Sequence, residues 1–228
     1  MTDLDGAVVL VAGASGGLGL RLAAMLVDAG ALVVRTARGS DPSTSQGAVL
    51  ADLREPSAGA SLVRAVLERH GRLDGIVVAA GVVAFGPAHE LDDDVLDELM
   101  ATNATGPVRL LRAAHDALAQ SAAQGREPFV VTLSGLVAES PTTGMAAYSA
   151  SKAALAGFVA AAAREHRRVG IRLLDARPGH TATGFADRAI AGSAPAFGAA
   201  LDPDAVAARI VRAVVDGERD LPSTAFSG

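Results

Sequence analysis

Six short, almost wholly apolar runs, each set against a helix-like stretch, constrain this chain more than any other feature. The runs cover 7–12, 31–36, 48–51, 75–80, 129–133 and 171–176. Their apolarity is continuous rather than alternating, as expected of strands covered on both faces. Amphipathic segments at 18–29, 57–70, 91–101, 104–123, 148–169 and 203–216 lie among them. Strands alternating with helices predict right-handed βαβ units. The fold class is therefore α/β: a doubly wound parallel β-sheet flanked by helices on both faces, in three α/β/α layers. A short last strand is expected within "RDLPSTAF", and loops at 38–47 and 183–198. With no composition break or linker, residues 1–228 are expected to form a single domain.

Composition narrows the function classes. Half the residues are hydrophobic, so a sizeable core can form. The formal net charge of -5 and an aromatic content of 3% argue against a nucleic-acid partner. Without cysteine there are no disulfides or thiolate metal sites, and no histidine pair has ligand spacing, so no metal is expected. The N-terminus lacks a basic segment ahead of its apolar run, and "GIVVAAGVVAFGPA" is too short and glycine-rich to span a bilayer. A cytoplasmic protein without a membrane partner is the expectation.

The first apolar run leads into "AGASGGLG", and a helix pattern follows at once. Gly13, Gly17 and Gly19 give a G-x-x-x-G-x-G spacing, with Ser15 and Leu18 in the same turn. Glycines let a backbone turn sharply and approach a pyrophosphate, and the helix start offers N–H groups and the positive end of its dipole. A dinucleotide with a free ribose usually meets an acid at the end of the second strand. Here Ala37 and Arg38 stand there, which favours a 2′-phosphate and hence NADP(H). NAD(H) stays open, since Arg35 and Asp41 are close enough in sequence to alter the balance. Asp52, followed by Leu53 after the third run, is placed to accept from an adenine amino group.

"YSASK" carries the chemistry. Tyr148 is the only tyrosine and Lys152 the only lysine, four positions apart on one helix face. A free phenol titrates near about 10, and a neighbouring ammonium favours the phenolate. A phenol so tuned can give a proton to a carbonyl oxygen or take one from an alcohol.

With these residues in view, the chain resembles the short-chain dehydrogenase/reductase family, in its single-domain branch. The resemblance covers nearly the whole chain and rests on "GASGGLG", "ADL", "LDGIVVAAG", "ATNATGP", "AYSASKAAL" and "RPGHTAT". It implies a Rossmann-type sheet, a nicotinamide cofactor and oxidoreduction at a carbonyl or hydroxyl carbon. By that match Lys152 also binds the nicotinamide ribose, and Asn103 anchors a water relay. Pro178, Gly179 and Thr183 contact the carboxamide; Thr183 is alternatively a cap for "ADRAIAG". His180 lies in the same loop.

Two departures stand out. Thirteen residues before the tyrosine, where the family has a serine that holds the substrate oxygen, stands Gly135; Ser134 is one residue early. Successive strand residues face opposite sides, so Ser134 serves only if a bulge turns it inward. The family's Asn-Asn-Ala-Gly is here Val78-Ala79-Ala80-Gly81, which keeps Gly81 for close backbone approach. The expected activity is NADP(H)-dependent interconversion of a ketone or aldehyde and an alcohol, with Tyr148 as acid–base. A catalytically impaired NADP(H)-binding sensor or assembly protein is the alternative. Phe185, Ile190 and Phe197, in an expected mobile lid, point to a small hydrophobic carbonyl or alcohol substrate. The resemblance and alanine-rich helix faces point to a homodimer or homotetramer.

Overall fold

The computed structural model describes residues 1–38 and 48–226. Asp41 and nearly all of the expected 38–47 loop lie outside the described residues. Seven strands form one sheet in the order β3-β2-β1-β4-β5-β6-β7, all neighbours parallel. They are β1 (Val8–Ala12), β2 (Leu32–Ala37), β3 (Val49–Leu50), β4 (Gly75–Val78), β5 (Phe129–Leu133), β6 (Arg172–Ala176) and β7 (Asp220–Leu221). Among the described residues six α-helices join them: α1 (Gly17–Asp28), α2 (Ala58–His70), α3 (Asp93–Met100), α4 (Gly106–Ala123), α5 (Ala146–His166) and α6 (Pro203–Val215). The predicted last strand is β7.

The continuous apolarity of the strands has the expected cause. In β1, Val8, Leu10 and Ala12 face a core shared with α2, α4 and α5, while Val9 and Val11 face one shared with α1 and α6. All five residues are buried. A fully buried aliphatic side chain contributes roughly 1.5–3 kcal/mol and an exposed ion pair roughly 0–1, so these two faces hold the sheet. Between β4 and β5 a residue is traded for a ring: a Cβ on Gly75 would lie 2.5 Å from Phe129 Cζ.

Helix ends follow local chemistry. Asp92 accepts from Asp94 N at 2.8 Å at the start of α3, and Asp202 accepts from Asp204 N at 3.1 Å ahead of Pro203 in α6. The sequence pattern leaves α3 and α4 as separate helices. They are one rod joined through a π-helical turn, Ala101–Thr105. The extra residue in that turn lets Asn103 point out of the helical repeat toward the sheet.

The chain leaves β1 toward β2 and β3, then returns across the sheet to β4. The crevice at that reversal, outside the carboxyl ends of β1 and β4, is where such sheets bind ligands. Residues 146–169 are also long and apolar enough to cross a membrane on length and composition alone. In this fold the helix lays Leu155, Val159 and Ala162 on the sheet.

Candidate active site

A single cleft of about 490 Å³ runs along the carboxyl edge of the sheet, from the glycine turn to Tyr148. At one end the turn is set by sterics. Gly13 has φ +83° and a Cβ there would lie 2.5 Å from Ala80 N; one on Gly19 would lie 2.2 Å from Gly13 O. Helix α1 starts at Gly16 with no side chain capping it, which leaves its first N–H groups to the cleft. Ser15, Gly17 and Leu18 line the same end. These features fit a dinucleotide pyrophosphate.

Beyond the turn lie Arg38, Asp52 and Leu53. Arg38 is half exposed and 3.7 Å from Glu98. Asp52 is held by Arg54, with Nη2 at 2.6 Å from Oδ2; that hydrogen bond keeps its carboxyl below the usual range. Arg54 also pairs with Glu98 at 3.0 Å. Among the described residues, two arginines and two acids, Arg38, Arg54, Asp52 and Glu98, pair with one another at this end, with Arg38 and Asp52 lining the cleft.

At the other end α5 brings Tyr148 and Lys152 into the cleft. Lys152 is buried, its Nζ donates to Leu133 O at 2.8 Å and it stands 5.9 Å from the Tyr148 ring centroid. Burial pushes the ammonium down to about 8, against the pull of the Asp175 carboxylate. The phenol moves opposite to the sequence expectation: burial pushes Tyr148 above the usual tyrosine range. The ammonium is spent partly on the carbonyl, so desolvation wins.

Asn103 is fully buried. Its Oδ1 accepts from Val82 N and its Nδ2 donates to Val82 O, both at 2.9 Å, and Nδ2 reaches Ser151 Oγ at 3.0 Å. Ser151 in turn donates to Tyr148 O at 2.8 Å. Asn103 thus ties the loop after β4 to the helix carrying the phenol. A Cβ on Gly81 would lie 3.2 Å from Asn103 Oδ1 and 3.3 Å from Lys152 Nζ, so the missing side chain keeps both polar groups in place.

Ser134 lines the cleft between Leu133 and Gly135. It is buried, and its hydroxyl donates to the Asp175 carboxylate of β6. Thr132 donates to the same carboxylate at 2.6 Å, and Arg177 pairs with it at 3.2 Å. In this arrangement the Ser134 proton is engaged by Asp175. The strand alternation stops short of it: β5 ends at Leu133, and Gly135 begins a turn at φ +76°, ψ 167°, a region that is essentially glycine-only. The residue at the expected serine position is therefore glycine for a backbone reason.

Pro178 O accepts from Leu136 N at 2.9 Å, which seats the loop after β6 beside this turn. Gly179 and Thr183 line the cleft. Thr183 caps nothing, since the turn Ala186–Arg188 starts after Phe185; a Cβ on Gly17 would instead meet Thr183 Cβ at 2.7 Å. His180 stacks on Phe197, with centroids 4.4 Å apart. The segment expected as a mobile lid, 183–198, is bridged at Ala191 to Ala84, and just outside it Thr181 is bridged to Leu201.

Sequence reasoning passed over Asp175, Thr102, Phe85 and Met145. Asp175 had a visible signal, an acid inside the apolar run "IRLLDA". Thr102 lines the cleft with a buried hydroxyl that has no hydrogen-bond partner among the described residues. Phe85 and Met145 are placed in the cleft by tertiary packing alone.

The parallel sheet, the glycine turn at its reversal, a part-buried phenol and a buried ammonium one helical turn further on all meet at this one cleft. Residues 7–193 match the short chain dehydrogenase family, and the chain belongs to that family of oxidoreductases. It is 35% identical over 186 residues to a cyclic-di-GMP-binding biofilm dispersal mediator protein of Escherichia coli, covering 78% of this chain and 75% of that protein. It is 34% identical over 200 residues to an A-factor type gamma-butyrolactone 1'-reductase of Streptomyces virginiae, covering 79% and 76%. A metagenomic short-chain oxidoreductase solved in complex with NADP is 31% identical, with a TM-score of 0.77 and coverage of 97% and 98%.

Proposed function

We propose that the protein is an NADP(H)-dependent oxidoreductase that interconverts a ketone or aldehyde and an alcohol. The observation that carries this reading is the placing of the only tyrosine and only lysine in the cleft that the glycine turn opens. When bound, the dinucleotide supplies or accepts the hydride. The turn Gly13–Gly19 and the start of α1 would hold its pyrophosphate, Arg38 the 2′-phosphate and Asp52 the adenine amino group. Lys152 would hold the nicotinamide ribose, and Pro178, Gly179 and Thr183 the carboxamide.

Tyr148, protonated because burial disfavours its anion, gives its proton to the carbonyl oxygen. Lys152 stabilises the phenolate left behind, a role that begins only as that charge develops. Asn103 holds the loop after β4 and, through Ser151, the backbone of Tyr148, and so supports the path by which the proton is replaced. We further propose a homodimer or homotetramer in the cytoplasm. The outer face of α5, with exposed Ala153, Gly157 and Ala160, suits close packing against a second copy.

The test is NADPH and NADH oxidation across a panel of carbonyls. NADPH consumption is expected, with Arg38→Ala lowering the preference for NADPH about tenfold by loss of one phosphate contact. Equal use of both cofactors by the unaltered chain would overturn the role of Arg38. One second reading has support: a cofactor-binding sensor. Gly135 in a glycine-only conformation and the likeness to a dispersal mediator favour it. Tight NADPH binding with no oxidation by any carbonyl would decide for the sensor.

A further inference from the structure

The chain has seven aromatic residues, six phenylalanines and one tyrosine, with no tryptophan. Phe129, Phe158 and Phe226 pack into the two cores that cover the sheet. The other four, Phe85, Tyr148, Phe185 and Phe197, all line the cleft. They come from three places in the chain: the loop after β4, helix α5 and the 183–198 segment. Those two cores are otherwise built mainly from Val, Leu, Ile and Ala, which were equally available for a plain hydrophobic wall.

The rings are also arranged as a lining. Phe85 and Phe197 lie 6.0 Å apart with planes at 55°, Tyr148 and Phe185 6.5 Å apart at 48°, and the His180 imidazole stacks on Phe197 at 23°. Tilted and stacked arrangements of this kind are the ones aromatic rings prefer, so a further ring seated against this lining would meet it in favourable geometry. Backbone bonds fix the walls: Phe85 N donates to Ala191 O and Ile190 N to Val83 O, both at 2.9 Å. Gly192, at φ +68°, admits that contact, because a Cβ there would fall 2.0 Å from Phe85 O.

We propose that the substrate is a flat aromatic ketone, its ring system held among Phe85, Phe197 and His180 and its carbonyl turned to Tyr148. The inference rests on the oxidoreductase reading above. In reduction the carbonyl carbon gains a hydride from the reduced nicotinamide and the oxygen gains the Tyr148 proton, so a secondary alcohol and the oxidised cofactor leave.

The experiment compares 1-tetralone with 1-decalone, its saturated counterpart of similar size, on the full chain. Two quantities are read: kcat/KM with NADPH, and the calorimetric Kd with NADP+ present, where no turnover occurs. The aromatic ketone is expected to be favoured about two- to tenfold in both, the range that ring–ring contacts supply beyond burial. Phe197→Leu should bring the ratio toward one. A saturated ketone that binds and reacts as well as the aromatic one overturns the proposal while leaving the oxidoreductase reading intact. Selective binding of tetralone without any NADPH oxidation would keep the aromatic pocket and overturn that reading instead.

Discussion

The two ends of the cleft are built by different means. At the glycine turn, backbone packs on backbone: Gly13 against Ala80 and Gly19 against Gly13, at separations no side chain survives. At the phenol end, polar side chains fix one another. Asn103 clamps Val82, Ser151 joins Asn103 to the Tyr148 backbone, and Thr132, Ser134 and Arg177 converge on Asp175. The first kind of site tolerates almost no substitution but asks little of its surroundings. The second can be rerouted, and the commitment of Ser134 to Asp175 is such a rerouting.

The contrast is sharpest in Tyr148→Phe, which touches only the second kind. Loss of the phenol hydroxyl should lower kcat about 10²- to 10⁴-fold, the usual contribution of a positioned acid. NADPH affinity, read by fluorescence titration, should change little, because the opposite end is untouched. A variant with an unaltered rate would remove Tyr148 from the chemistry.

The pH profile probes the same end. Lys152 is charged below about 8 in the cofactor-free chain and neutral above it. Since kcat/KM for NADPH reports the cofactor-free enzyme, it should fall about tenfold per pH unit above that value. A profile flat to pH 10 would show that the charge of Lys152 is not used.

Gly19→Ala tests the steric end. The added carbon meets Gly13 O at 2.2 Å, and the resulting overpacking should cost about 1–3 kcal/mol in thermal unfolding, with dinucleotide binding lost as well. Gly135→Ser is the smallest and most discriminating change. Its Cβ has room, with Pro178 O the nearest atom at 3.6 Å, so only the backbone angles resist. The expected cost is about 1–3 kcal/mol. A stable variant with a raised kcat would show that the turn adopts serine-compatible angles after all.

The sequence carried the sheet, the helices and the glycine turn because each rests on local rules: continuous apolarity, periodicity, and glycine where no Cβ fits. Tyr148 and Lys152 were legible for another reason, their uniqueness and spacing. The fate of Ser134 was not, because it depends on a carboxylate 41 residues away in sequence. Likewise the π-turn at Ala101–Thr105 joins two segments that read separately, and the direction of the Tyr148 shift needs burial, which a motif does not contain.

One amine side chain in 228 residues has a practical consequence. An acylating reagent has two targets, the chain's α-amino group and Lys152, and the second is walled in until the cleft opens. Mass spectrometry of a brief labelling pulse would therefore score occupancy of the cleft at Lys152, with the terminus as internal clock. Protection of Lys152 by a candidate ligand would register binding without any need for turnover.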